Sequence, residues 1–342
     1  MKMTTLTIDY PPQTGGVANY SEAVCHFFGD EMTVLSNDEL HFMSDKFPKW
    51  IGALRLLLDR DDDVLMVHHI LPLGLVAFLN WRRNKVPYVV FFHGMDFELA
   101  KRNAWKRFLT KKILRKAHTV VGNSKYLAKE LAEFAGVEAI VVYPMPAVRA
   151  EANSDNTTDS SLAAGGYLEL VSIGRFVARK GHQRVLHALA KMPHLHDKLR
   201  YTILGDDGEY VKTLRGLVDE LDLREVVEIM TNSGEAEIRP ALANADIFIM
   251  PTLTSHGDRE GFGIVYLEAA TFGVPSIASR IPGVDEAVLD GKTGILVDTD
   301  EELVDAMMAL IQDRELRERL GVAAKKRADL DFAPERIFAE LK

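Results

Sequence analysis

The chain has 342 residues, of which 47% are hydrophobic and 27% charged. That is the make-up of an ordinary globular protein with room for two domains of about 100–200 residues each. Residues 1–150 carry 19 Lys and Arg against 16 Asp and Glu, and the rest 22 against 34, for a net charge of −9; so acidic a second half excludes general nucleic-acid binding. The single cysteine, Cys25, cannot form an internal disulfide, which fits a reducing compartment, and its expected place is the core. The first nine residues hold no apolar signal core. The longest apolar stretch, residues 70–81, falls short of the roughly 20 residues needed to cross a bilayer. A cytoplasmic protein is expected.

In chain order the first half alternates strand-like and helix-like patterns, as an α/β sheet requires. Residues 4–8 read as a strand, followed by the loop YPPQTGG and a helical run over 17–28. Strands are predicted at 63–67 (DVLMV), 88–92 (YVVFF), 119–121 and 139–142. Continuous apolar runs indicate a parallel sheet covered on both faces. Residues 146–166 are poor in large apolar side chains and rich in Asn, Asp, Ser, Thr and Ala, so a linker is predicted there.

The second half repeats the alternation, with strands at 168–173, 201–204, 227–230, 247–250 and 276–278. Helices are predicted at 181–192, 210–221, 235–244 and 263–272. The domains expected are 1–150, 165–325 and a last helix over 326–342 that returns to the first. Two doubly wound, Rossmann-like domains of this kind would place ligands in a cleft at the carboxyl ends of their strands.

Loops at those ends carry the candidate chemistry. In IGRFVARKG, Arg175 and Lys180 lead into a helix at Gly181; two cations at a helix N-terminus suit a diphosphate, and a solvated basic turn is the alternative. Gly205, in LGDDG, either lets a nucleotide approach the backbone or belongs to an ordinary acidic turn. In EGFGIVYLE, Gly261 and Gly263 flank Phe262 and clear the way to backbone amides. Glu260 and Glu268 stand eight residues apart, so on a helix starting at Glu260 they would lie within about 80° in azimuth. A carboxylate within an apolar helix is costly to bury without partners, and a ribose or sugar diol is a fitting one. PGVDEAVLDGKTG, with Gly283 and Glu286, reads mostly as a structural turn. In the first half, Gly15 and Gly16 lie between a strand and a helix, and His93 follows the strand YVVFF.

Taken together, the GG loop, HGMD, NSKYLAKEL, GRFVARKG, EGFGIVYLEAATFGVP and DGKTGILV run in the order of family 4 of the retaining glycosyltransferases. The chain resembles that family over almost its whole length. The resemblance implies the two-domain GT-B fold and transfer of a hexosyl group from a GDP- or UDP-sugar, with the anomeric configuration retained and neither metal nor cofactor. Arg175 and Lys180 would then neutralise the donor diphosphate and Glu268 would hold the ribose. Glu260, with the amides of Gly261, Phe262 and Gly263, would grip the sugar and its phosphate. His93 would meet the sugar, and Gly16 would lie near the phosphates. DYPPQTGGVANY and EGFGIVYLEA look closest to mannosyltransferases of phosphatidylinositol-type acceptors, which favours GDP-mannose and a lipid-linked or glycan acceptor. The chain departs from the family pattern in LGDDG, one residue longer than the usual G-x-G, and in YPMPAVRAE, which lacks the usual Asn-Gly. A UDP-hexose-dependent enzyme and a binding protein without transfer activity are the competing readings.

Residues 99–116 (LAKRNAWKRFLTKKILRK) hold eight Lys and Arg and no acid, with Trp105, Phe108, Leu109 and Ile113 at helical spacing. One helix is expected, either a membrane-surface element drawn to anionic lipid or one whose stripe packs on the sheet while its lysines face water; both hold if the stripe is buried and the charges touch headgroups.

Overall fold

The computed structural model describes residues 1–13, 15–43, 48, 50–58, 60–150, 166–254 and 261–341. The chain divides into two compact units. The first comprises Met1–Met145, the segment ending at Phe262 and the residues from Ala333 onward; the second comprises the remainder.

The first unit carries a six-stranded parallel sheet built from β1 (Met3–Thr7), β2 (Met32–Ser36), β3 (Val64–Val67), β4 (Tyr88–Phe92), β5 (Thr119–Gly122) and β6 (Ile140–Val141). Its strand order is β2-β1-β3-β4-β5-β6. β1 and β4 are buried along their full length, as their unbroken apolar or threonine-rich runs require. Sequence patterning passed over β2, because MTVLS mixes polar and apolar residues behind the short turn Gly29–Glu31.

The second unit repeats the plan with β7 (Leu168–Ile173), β8 (Leu199–Gly205), β9 (Val227–Thr231), β10 (Ile247–Met250), β11 (Ser276–Ser279) and β12 (Gly294–Val297), in the order β12-β11-β10-β7-β8-β9. All pairings are parallel. Its helices press Val185, Leu189, Leu214 and Leu303 onto Tyr201, Ile203 and Ile249 of the sheet, forming one continuous core. Order reversal beside the strand that comes first in sequence in each sheet is the doubly wound pattern.

Three sequence expectations are corrected. The basic segment is not one helix but two, Met95–Lys101 and Ala104–Leu114. Asn103 starts the second by accepting the Lys106 N–H at 2.9 Å, the usual work of an N-cap residue. The apolar stripe also splits: Ile113 is buried and Leu109 half-buried, whereas Trp105 and Phe108 are 66% and 62% exposed. The helix after EGFG begins at Ile264, with Gly263 at φ 84° before it, so the azimuth relation that assumed a start at Glu260 does not apply. In the late region the long helix Arg314–Asp331 ends first. A separate turn, Pro334–Ile337, follows, and Phe338 packs on Phe27 with ring centroids 4.8 Å apart.

Candidate functional site

In the first unit, β1, β3 and β4 lie side by side and run the same way, so the residues leaving them emerge on one edge. Those residues are Asp9, His68 with His69, and His93. Asp9 accepts a 3.2 Å hydrogen bond from His69 Nε2, which holds its carboxyl below the usual range despite partial burial. Burial pushes His93 down to about 3, helped by His69 and opposed by Asp9, so its imidazole is neutral. The His93 backbone N–H and that of Phe97 both donate to Asp96 Oδ1 at 3.0 Å. Burial carries the Asp96 carboxyl up to about 6 against the pull of those amides.

The turn after His93 is shaped by glycine. Gly94 has φ 105° and stands in contact with Gly261: a side chain on Gly94 would come within 3.4 Å of the Gly261 Cα. One on Gly261 would reach 2.6 Å from the His93 carbonyl and 3.0 Å from Asn123 Nδ2, a collision that only glycine avoids. Phe262 is buried beside Tyr143, with ring centroids 5.3 Å apart. Gly15 stands before the helix Gly16–Phe28 at φ 142°, with open space where a side chain would be. Glu260 lies outside the described residues.

In the second unit, the loop after β7 turns through Ala178–Lys180 into the helix His182–Ala190. Arg175 is exposed, while Lys180 is only 8% exposed. The missing Cβ of Gly174 makes room for the lysine stem, whose Cε would be 3.4 Å from it. Gly181 precedes the helix at φ 79° against the Pro251 carbonyl, where any side chain would clash. His182 was not singled out by sequence reasoning; it is buried next to these cations and pushed down to about 4 by burial and by Lys180. Gly205 is glycine because the Gly174 carbonyl fills the place of its side chain, so the close approach at this position is made by the neighbouring strand's loop.

Glu268 sits inside Ile264–Thr271, 5% exposed. Its Oε1 accepts the N–H groups of Ala147 and Val148 at 3.2 and 3.4 Å, and Thr271 Oγ1 accepts that of Ala150 at 3.3 Å. Burial raises its carboxyl to about 7, opposed by those two amides. Among the described residues, no three His, Cys, Asp or Glu side chains are grouped to hold a metal ion.

The structure thus gathers His93 and Gly261 at one place in the first unit, and Arg175, Lys180 and Gly205 around the β7 loop of the second. Asp9, His68 and His69 went unselected in the sequence, although they meet the criterion that picked out His93, a polar residue just beyond a strand's carboxyl end.

A family model described as "Glycosyl transferases group 1" matches residues 153–327, and one described as "Glycosyltransferase Family 4" matches residues 32–146. The chain belongs to this glycosyltransferase family. Its two parallel-sheet units form a GT-B fold. The glycosyltransferase is 28% identical, over 94% of its length and 92% of the relative's, to the GDP-mannose-dependent alpha-(1-6)-phosphatidylinositol monomannoside mannosyltransferase of Mycolicibacterium smegmatis. The Mycobacterium tuberculosis protein of the same description is 26% identical over 95% and 93%. In fold it is similar to the Anabaena HepE protein solved with UDP-glucose, with a TM-score of 0.79 at 18% identity and coverage of 99% and 98%.

Proposed function

We propose that this glycosyltransferase moves a mannosyl group from GDP-mannose to a lipid-linked acceptor, retaining the anomeric configuration and using no divalent metal. The observation that carries the reading is the β7 loop, where a buried Lys180 and an exposed Arg175 precede a helix N-terminus. Together they supply the positive field that a leaving diphosphate needs. Glu268 takes the ribose hydroxyls. Glu260 and the amides of Gly261, Phe262 and Gly263 take the sugar and its phosphate, His93 meets the sugar, and the Gly15–Gly16 turn faces the phosphates. The mannosyl donor is favoured by the mycobacterial relatives.

A UDP-hexose donor is the second reading, favoured by the HepE complex with UDP-glucose. Thermal shift with GDP-mannose, GDP, UDP-glucose and UDP separates the two. At a hundredfold excess over the dissociation constant, the preferred donor stabilises the fold by about 2.7 kcal/mol. A larger shift with UDP-glucose would favour the second reading, and no shift with any of them would sink both. A shift with GDP-mannose but no transfer or hydrolysis would leave a binding protein.

The acceptor side rests on Trp105 and Phe108, exposed on the basic helix Ala104–Leu114, with Met95 and Leu99 exposed on the preceding helix, which also carries Asp96 and Glu98. Apolar side chains ringed by lysine and arginine suit the headgroup region of an anionic bilayer, on the face of which the enzyme would act. Tighter binding to phosphatidylglycerol vesicles than to phosphatidylcholine vesicles is expected at low salt, weakened by the Trp105→Ser and Phe108→Ser pair. Equal binding to both vesicle types would refute a membrane role.

A further inference from the structure

We propose that His68 is a positioning residue which, with Tyr20, holds the imidazole of His93 in one orientation at the carboxyl edge of the first sheet. This rests on the reading of His93 as the group that meets the transferred sugar.

β3 and β4 pair with Val67 opposite Val90, which brings the residues just beyond them alongside each other. The His68 ring lies flat on Phe91, with centroids 4.6 Å apart and planes 10° apart. Its other neighbour in the stack is His93, at 5.8 Å and 13°. Tyr20 closes the group edge-on, 4.9 Å from His93 at 79° and 6.0 Å from His68 at 71°. Tyr20 is itself pinned, because its hydroxyl donates to the Val142 carbonyl at 2.9 Å. Stacked and edge-to-face contacts are the favoured arrangements of such rings. The His93 imidazole is therefore bounded by His68, from beyond β3, and by Tyr20, from Gly16–Phe28, which Phe91 and the Val142 carbonyl in turn hold in place.

His68 has 0% exposure, and neither of its ring nitrogens has a hydrogen-bond partner among the described residues. Burial beside His93 and His69 keeps it neutral. A ring with no hydrogen bond acts through its shape and its π face, not through proton transfer. Nε2 of His93 also lacks a partner among the described residues, an orphan that a ligand hydroxyl would satisfy.

The test compares the full-length protein with His68→Phe, His68→Leu and, as a reference, His93→Ala. Phenylalanine preserves the stack and leucine preserves bulk without an aromatic face. With GDP-mannose as the probe, His68→Phe should keep kcat within about threefold. His68→Leu should lose about tenfold or more in kcat while KM changes by about twofold or less, the mark of a misaligned group in a bound complex. The Cε1–H NMR signal of His93 supplies a readout independent of turnover. It should stay sharp and neutral in the wild type and His68→Phe, and shift and titrate nearer to an ordinary histidine in His68→Leu. The charges acting on that signal are those of His69 and Asp9, while His68 is neutral and Asp96 holds the His93 backbone N–H. An unchanged His93 signal in His68→Leu would overturn the proposal, as would damage by His68→Phe equal to that by leucine. If His93→Ala retains full turnover while leucine still disturbs the His93 signal, the sugar-contact reading fails and the stack stands.

Discussion

Replacing Lys180 by methionine is expected to lower kcat for the donor by about two to three orders of magnitude, a loss of roughly 2.7–4 kcal/mol of transition-state stabilisation. The lysine is nearly sealed from water, so its charge acts in a medium that screens it little. Methionine keeps most of the buried stem and removes only the cation. KM should rise far less than kcat falls, because the charge on the leaving diphosphate grows as the glycosidic bond breaks. Arg175 is exposed, and its replacement should cost less and depend more strongly on salt. Steady-state turnover of GDP-mannose and UDP-glucose at two ionic strengths measures both effects. A Lys180→Met enzyme within threefold of wild type would remove the lysine from the chemistry.

The second large effect concerns stability. Glu268 has its carboxyl raised from 4.5 to about 7 by burial. A carboxyl that holds its proton more tightly when folded adds stability in full below pH 4.5. That contribution is lost as pH rises to about 7, and over this window it amounts to about 3 kcal/mol. Glu268→Gln cannot titrate, so its stability should stay flatter over the same range while its amide oxygen still accepts the Ala147 and Val148 N–H groups. Urea unfolding of both proteins at the two ends of the window gives a double difference. This cancels Glu169 and Asp246, whose carboxyls are also raised, chiefly by burial. Identical pH slopes would show that the carboxyl is not held as described.

The same residue marks where sequence reasoning reached its limit. Its place on an apolar helix, and hence its need for partners, is legible in EGFGIVYLE. That it meets the amides of Ala147 and Val148, some 120 positions away, is a matter of tertiary folding that no spacing encodes. Both sheets were readable chiefly through buried strands that are unbroken apolar runs, such as β4 and β10. The exception, β2, lies at a sheet edge and carries Thr33 and Ser36 among its apolar residues. The break at Asn103 had a local signal, a capping residue in front of Ala104, which the charge pattern masked. The ring stack on His93 had none, since Tyr20, His68 and Phe91 come from three separate elements.

The tail of the chain bears on how such enzymes can be recombined. Ile337 and Phe338 are buried, and Phe338 lies against Phe27, so the last residues complete the first unit although they follow the second in sequence. A chimera that joins the front half of this chain to the back half of a relative at a single crossover would inherit a foreign tail against Phe27. Two crossovers, one before Pro146 and one after Phe332, would keep the tail with its native partner, and hybrids spliced in this way should express better than single-junction ones.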